Sequence, residues 1–521
     1  MPEALRDDAV RRRNWAAIVG VAVAAAGVLA LQSFLHSHFS AVDEYDDGVY
    51  FGASVELLHG VLAYRDFAFI QPPMITIWML PFAALSSLTS TSVAMEAARF
   101  FVDMVTVTNV VLVGALVRRR STFQVIVATA VMAFSQGTIR ASQTVLLEPF
   151  LVLALLGAFL LLLEGEKLTT SSRRLWWAGI LFGVAGATKV WAILPLVAVL
   201  VVLSRAGVRA QGKVVGGACG GFVVCSLPFL IGAPANFFRQ VVITQAIRST
   251  GGFTFVARVA DLTGIPGLSS AFAQHEALVA AVTAFVVTLG LGALVICWTD
   301  RGRPPWSPLE QLALGGAALA ATGLLISPTY YYHYSAFMAP FTALVASSLI
   351  GRLRAPLRRA LSSRATLPRA ARLAWPMMSV TLAAVLVGAV AMIVNLPVAP
   401  QVGDAVSDAI PNHGCVLYAN PTLALMDDRF TSDVSGCPNV IDWLGQERVL
   451  DSGAATSPSD WHNRHLQSVM GRWINSSDAV VLAGSDLGLD GTNVDDLERH
   501  FDREAGIPRG LRIFVRRHSR V

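Results

Sequence analysis

Apolar runs of about twenty residues, the length a helix needs to cross a bilayer, recur along the chain between short polar stretches rich in arginine and lysine. They fall near 15–34, 96–117, 123–137, 149–163, 214–231, 277–298, 310–327, 334–350 and 374–395, with a longer run at 175–203 that carries Lys189 near its centre. Lysine and arginine gather on the cytoplasmic side of membrane proteins, and this rule decides the longer run. Arg11, Arg12 and Arg13 precede the first span, which places the N-terminus inside. As a single span, 175–203 would put Arg205, Arg209 and Lys213 outside and invert every later basic loop. As a helical hairpin turning near Lys189, it keeps Arg118 to Arg120, Lys167 with Arg173 and Arg174, Arg301 with Arg303, and the seven arginines between 352 and 372 all inside. The hairpin reading gives eleven spans.

Two regions depart from this alternation. Residues 36–95 form an external loop that is neither a clean span nor an ordinary connection. "VYFGASVELLHG" (49–60) fits a short amphipathic helix ending at Gly60. "QPPMITIWMLPFAALSSL" (71–88) starts with a double proline, which suits a helix start. Span parity gives neither a crossing, so both are expected to lie as interfacial helices on the outer leaflet. From Leu396 the chain turns polar, with β-like runs at 415–419, 478–483 and 511–516. Leu466, Val469, Met470, Trp473 and Ile474 mark an amphipathic helix between them. Strand and helix alternation predicts a small α/β domain over 396–521, outside by parity, behind a membrane domain over 1–395.

Composition agrees with this reading. Of 521 residues, 54% are hydrophobic and 14% charged, and the mean hydropathy is +0.57, which excludes an ordinary soluble globular protein. The pI near 9.1 reflects arginines facing the cytoplasm, and no nucleic-acid partner is inferred. The basic start and alanine-rich core of the first span resemble a signal peptide, but its length and the many spans after it favour an uncleaved anchor. Cys219, Cys225 and Cys297 lie in or beside spans, whereas Cys415 and Cys437 share the external domain and are expected to be bridged. No cysteine or histidine spacing marks a metal site.

The candidate chemistry lies in "DEYDDGVYFG" (43–52), where Asp43, Glu44, Asp46 and Asp47 crowd the membrane surface. An acidic pair, an aromatic residue four positions on, a glycine ending the helix, a Pro-Pro helix with a tryptophan, and a span opening with arginine follow in order. Here they are Asp46-Asp47, Tyr50, Gly60, Pro72-Pro73, Trp78 and Arg99. The pattern resembles the GT-C membrane glycosyltransferases, in the branch of protein O-mannosyltransferases and lipid A aminoarabinose transferase. "LLEP" (146–149), "GVAGATK" (183–189) and "YYYHY" (330–334) fit the same resemblance. It implies a multi-span α-helical GT-C fold. It also implies that sugar is taken from a polyprenyl-phosphate donor at the external face of the cell membrane and passed to an envelope glycan, lipid or protein acceptor, without cofactor or metal. One branch carries lysine before Pro-Pro; this chain has Gln71, so one expected phosphate contact is missing.

A phosphate leaves readily, so the difficult partner is the acceptor hydroxyl. A positioned carboxylate base contributes roughly 10²–10⁴-fold, and cations are needed where the departing phosphate gathers charge. The family register puts the base at Asp46, while Asp47 pairs with a cation or touches the acceptor. A solvated acidic turn is the alternative for all four acids. Arg99, Lys189, Arg140 and Arg248 are candidates for the donor phosphate, with Arg65, Tyr50, Glu148 and His333 as further substrate contacts. Plainer readings stand beside these: an ion pair with Glu96 or with the acidic loop for Arg99, snorkelling for Lys189, a helix-start carboxylate for Glu148, an aromatic belt around His333. A polytopic lipid or sugar transporter is the competing class, for which Glu148 and Lys189 would have to face a central cavity. A membrane anchor presenting the C-terminal domain is a third.

Overall fold

The computed structural model describes residues 3–35, 38–42, 44–246, 251–269, 271, 274–299, 305–362, 406–432, 434–438, 440–443, 445–446, 464–483, 489–505 and 510–517. The span expected at 374–395 lies outside them, as do Asp43 and Arg248. The first ten helices are α1 (Glu3–Leu35), α2 (Tyr45–Leu58), α3 (Met74–Ser86), α4 (Thr91–Val117), α5 (Thr122–Phe134), α6 (Gln136–Ala141), α7 (Glu148–Leu162), α8 (Ser172–Thr188), α9 (Ile193–Leu203) and α10 (Val208–Gly232). Long helices Glu276–Thr299, Pro308–Ile326 and Ser335–Ser362 follow. Six described helices are long and apolar enough to cross a membrane, and four shorter apolar ones accompany them, at Met74–Ser86, Thr122–Phe134, Glu148–Leu162 and Val190–Ala206.

The run 175–203 is broken where its lysine sits. α8 ends at Thr188, Lys189 is extended, and a short turn of 3-10 helix leads into α9. α8 packs on α10 through facing glycines four residues apart. A methyl group on Gly179 or Gly183 would fall 2.4 Å from the Val214 or Ala218 carbonyl, and one on Gly217 or Gly221 2.5 Å from those of Trp176 or Ile180. Small residues at this spacing let two helix backbones touch, which gives membrane helices their close contact.

Polar groups collect at two ends of the bundle. At one end, Asn14 donates to the Arg118 and Arg120 carbonyls, Arg120 pairs with Glu166, and Arg352 pairs with Glu310. The other end carries α2, the starts of α3, α4 and α7, and the turn at 330–334.

At that second end the expectation for α2 is corrected. It is not a half-exposed interfacial helix, because Asp47 through Glu56 are all buried. The C-terminal segment covers it. A methyl group on Gly48 would sit 2.2 Å from the Thr422 backbone nitrogen, and one on Gly52 2.5 Å from the Phe430 ring. The helix Pro421–Met426 starts at a proline and is capped by Asn420, as such helix starts require, and it lays Thr422 on the first turn of α2. Asp428 holds the start of α4, accepting from the Ser92 backbone N–H at 2.8 Å and from the Thr91 hydroxyl at 3.0 Å.

Behind this contact the C-terminal segment forms a four-stranded sheet, in the order Val416–Tyr418, Ala479–Ala483, Leu511–Arg516, Phe501–Arg503. The first two strands are parallel and the other pairings antiparallel. The helix Arg464–Asn475 buries Leu466, Met470 and Ile474, with Gln467 joining them because Asn493 satisfies its carbonyl groups. Cys415 and Cys437 are bridged.

Gly48→Val should unseat the C-terminal segment from α2, since its side chain would enter the Thr422 backbone. Limited proteolysis of the purified protein should then cut within 406–446 where the wild type is protected.

Candidate active site

The acidic stretch becomes α2, and helix geometry separates its two aspartates. Consecutive helical residues diverge by about 100°, so Asp46 and Asp47 face different surroundings. Asp47 is fully buried. Its Oδ2 accepts from Arg99 Nη2 at 2.6 Å and Nε at 3.1 Å, and its Oδ1 lies 2.7 Å from the Thr422 hydroxyl. The third Arg99 nitrogen donates to the carbonyls of His38, Phe39 and Ala41, at 2.8, 2.6 and 2.9 Å. Arg99, expected among the phosphate ligands, is thus spent on the acidic loop. Of the two roles expected for Asp47, a pairing with a cation or a contact with the acceptor, the structure shows the first: it is held by Arg99 and Thr422.

Asp46 opens instead into a cleft of about 130 Å³ lined by Glu44, Tyr50, Gln71, Tyr332, His333 and Asp442, among others. It is partly exposed, and Tyr50 one turn on donates to it at 3.4 Å. Among the described residues it has no cationic partner within ion-pair distance. Its place in the first turn lets the helix dipole favour its charge.

Glu44 shares the cleft. It accepts from the Tyr332 hydroxyl, and burial, with Asp46 alongside, pushes its pKa up to about 7 despite that bond. In the sequence it stands apart from the matched pair and carries no signal of this burial or of its hydrogen bond to a tyrosine 288 positions away. Asp442 arrives from still further along the chain; its carboxylate is held by the Tyr45 hydroxyl at 3.1 Å and the Gly445 N–H at 2.7 Å.

A second cluster lies beside the cleft. Glu148, buried at the start of α7, is 2.5 Å from Lys189 Nζ and 3.3 Å from His333 Nδ1, the latter without hydrogen-bond alignment. Lys189 also lies over the Trp191 and Tyr334 rings, at 3.8 and 4.2 Å from their centroids. The break between α8 and α9 therefore brings together three sequence candidates that are 185 residues apart at their extremes, from Glu148 to His333. Lys189 and Glu148 neutralise each other.

Arg140, at the end of α6, places its guanidinium 5.1 Å from the centre of the Tyr332 ring, and its Nε is buried without a hydrogen-bond partner. Behind it, Asp261 takes hydrogen bonds from Tyr330 at 2.8 Å, Ser269 at 2.9 Å and Gln136 at 2.8 Å; burial raises its pKa. Arg65 does not join the cleft. It chelates its neighbour Asp66 at 2.7 Å, half exposed to solvent. No described group of three or more His, Cys, Asp or Glu is placed to hold a metal ion.

Comparison with known proteins agrees with this architecture. A sequence-family profile described as dolichyl-phosphate-mannose-protein mannosyltransferase matches residues 80–236. Among solved structures, ArnT from Cupriavidus metallidurans bound to undecaprenyl phosphate aligns over 95% of this chain and 98% of its own, with a TM-score of 0.56 and 16% identity. The same protein in the apo state aligns over the same shares, with a TM-score of 0.59 and 14% identity. No curated protein sequence matches. The chain has the helical membrane fold of GT-C glycosyltransferases and resembles those that use polyprenyl-phosphate sugars.

Two outcomes follow. Arg99→Gln, which leaves Asp47 charged and unpaired in the core, should cost about 3–5 kcal/mol of stability, while exposed Arg65→Gln should stay within about 0.5 kcal/mol; thermal unfolding in detergent compares them. The folded chain holds the Glu44 proton up to about 7, whereas the ordinary carboxyl releases it near 4.5. The folded state therefore binds more protons across that interval, and stability falls as pH rises through it. Glu44→Gln should remove that part of the slope in the same measurement.

Proposed function

We propose that the chain is a glycosyltransferase that moves a hexosyl or pentosyl unit from a polyprenyl-phosphate donor to an envelope glycan, lipid or protein acceptor. The reaction takes place at the external face of the cell membrane. The observation that carries this reading is the division of labour in α2: Asp47 is locked to Arg99, while its neighbour Asp46 faces the cleft with no cation within ion-pair distance among the described residues.

In this reading Asp46 takes the proton of the acceptor hydroxyl. The acceptor oxygen attacks the anomeric carbon, and the bond from that carbon to the phosphate oxygen breaks, its electron pair leaving with the phosphate. A single displacement inverts the anomeric centre. No second carboxylic acid is required, because phosphate carries its charge without protonation; a glycosidase, by contrast, must protonate its leaving group. Arg140 is the cation best placed to receive the phosphate: it stacks on Tyr332 at the cleft and keeps a buried N–H unused. Lys189 and His333 stand behind it, tied to Glu148. Arg248 is retained as a further phosphate contact on sequence grounds alone. The reaction is proposed to run without metal, since fixed cations serve the developing charge. The undecaprenyl phosphate bound to the structurally similar ArnT supports a polyprenyl donor. The C-terminal sheet is proposed to lie on the external side, with Asp442 as one wall for the acceptor.

Transfer of radiolabelled sugar from a panel of polyprenyl-phosphate donors to an envelope extract tests this. Wild type should use at least one donor. Asp46→Asn should lose about 10²–10⁴-fold in rate while still binding the donor, and Arg140→Gln should weaken donor binding. Equal turnover by wild type and Asp46→Asn would remove Asp46 as the base.

A further inference from the structure

A larger cavity, of about 380 Å³, lies at the other end of the bundle. α4 connects the two sites, since Arg99 anchors the acidic loop and Arg118 reaches this cavity about 28 Å further along the helix at 1.5 Å per residue. No step of the proposed reaction uses it.

The lining is of two kinds. Leu116 from α4 and Leu160 from α7, with Leu163, supply hydrocarbon, and Arg118, Arg119 and Arg174 supply three guanidinium groups. One carboxylate is present among the lining residues, and it is already committed: Glu164 pairs with Arg174 at 3.0 Å and accepts from the Thr169 hydroxyl at 2.6 Å. Arg174 is further fixed by the Leu160, Leu161 and Leu163 carbonyls, so it acts as a rigid wall. Arg118 donates to the Ala115 carbonyl, and its pKa is lowered by burial and then by Arg119 and Arg11. Arg119 is exposed and has no hydrogen-bond or ion-pair partner among the described residues. The chain makes room for it. The turn opposite carries Gly165 at φ +73°, and a methyl group there would fall 2.5 Å from an Arg119 nitrogen.

Like charges held together around a cavity, against a single spoken-for carboxylate, call for an anion. Phosphate suits guanidinium forks, and leucines of membrane helices on the same wall suit an attached hydrocarbon chain. Basic pockets between membrane helices bind anionic lipid headgroups in this way. We propose that this cavity binds the phosphate headgroup of an anionic membrane phospholipid, separately from the sugar-donor site.

The test is native mass spectrometry of the full-length protein in detergent, titrated with phosphatidylglycerol, phosphatidylcholine or inorganic phosphate. Phosphatidylglycerol should be retained in preference to phosphatidylcholine. Arg119→Gln should lower that retention about fivefold, the weight of one arginine near an anionic lipid, and Arg119→Lys should restore most of it. Arg119 makes no hydrogen bond or ion pair among the described residues, so its replacement breaks none, and rescue by Arg119→Lys separates charge from folding. Equal retention of the two lipids, or retention unchanged in Arg119→Gln, would overturn the proposal. Inorganic phosphate that binds alone and displaces the lipid would also overturn it, by assigning the cavity to a free anion.

Discussion

Everything at the catalytic end hangs on one buried ion pair. Arg99 cannot lie uncompensated inside a membrane protein, and Asp47 gives it both a charge and a geometry. Because the same guanidinium gathers three carbonyls from residues 38–41, the entry into α2 is fixed in position. Once that entry is fixed, helix geometry alone turns Asp46 towards the cleft. A buried pair of this kind is a weak source of net stability, because desolvation offsets most of the attraction. Its effect here is directional: it sets which of two adjacent carboxylates faces the cleft.

The rest of the site is built by parts that have little to do with the acidic stretch in sequence. The break at Lys189 supplies a cation that would be costly in mid-helix, and Glu148 at a helix start accepts it. The aromatic turn 330–334 gives one tyrosine to Glu44, another to Asp261 and a ring to Arg140. The C-terminal segment adds Thr422 beneath the loop and Asp442 at its side. What results is a cleft whose wall carries Glu44, Asp46 and Asp442 beside His333 and tyrosines of the 330–334 turn.

The apolar runs were legible because bilayer thickness dictates their length, and the break at Lys189 because arginine distribution forbids a single crossing there. The amphipathic stripe from Leu466 to Ile474 and the pairing of Cys415 with Cys437 were readable for similarly local reasons. Other features were written in residues far apart. Gly48 and Gly52 look like ordinary helix glycines until Thr422 and Phe430 press on them, and so α2 reads as half exposed when it is enclosed. Arg99 reads equally as a phosphate ligand or as a partner of the acidic loop, and packing decides for Asp47. Glu44 belongs to the acidic stretch but not to its matched pair, and Asp442 belongs to no motif; each is bound by a tyrosine from a distant segment.

The hydroxyl of Thr422 touches Asp47 across 375 residues of chain. A ribosome makes α2 early and this threonine late, and closing so long a loop is among the slower events of folding. The cover over the acidic helix therefore comes from chain made 375 residues after Asp47. A chain cut before Thr422 would lack both its contact with Asp47 and the Asp442 wall of the cleft.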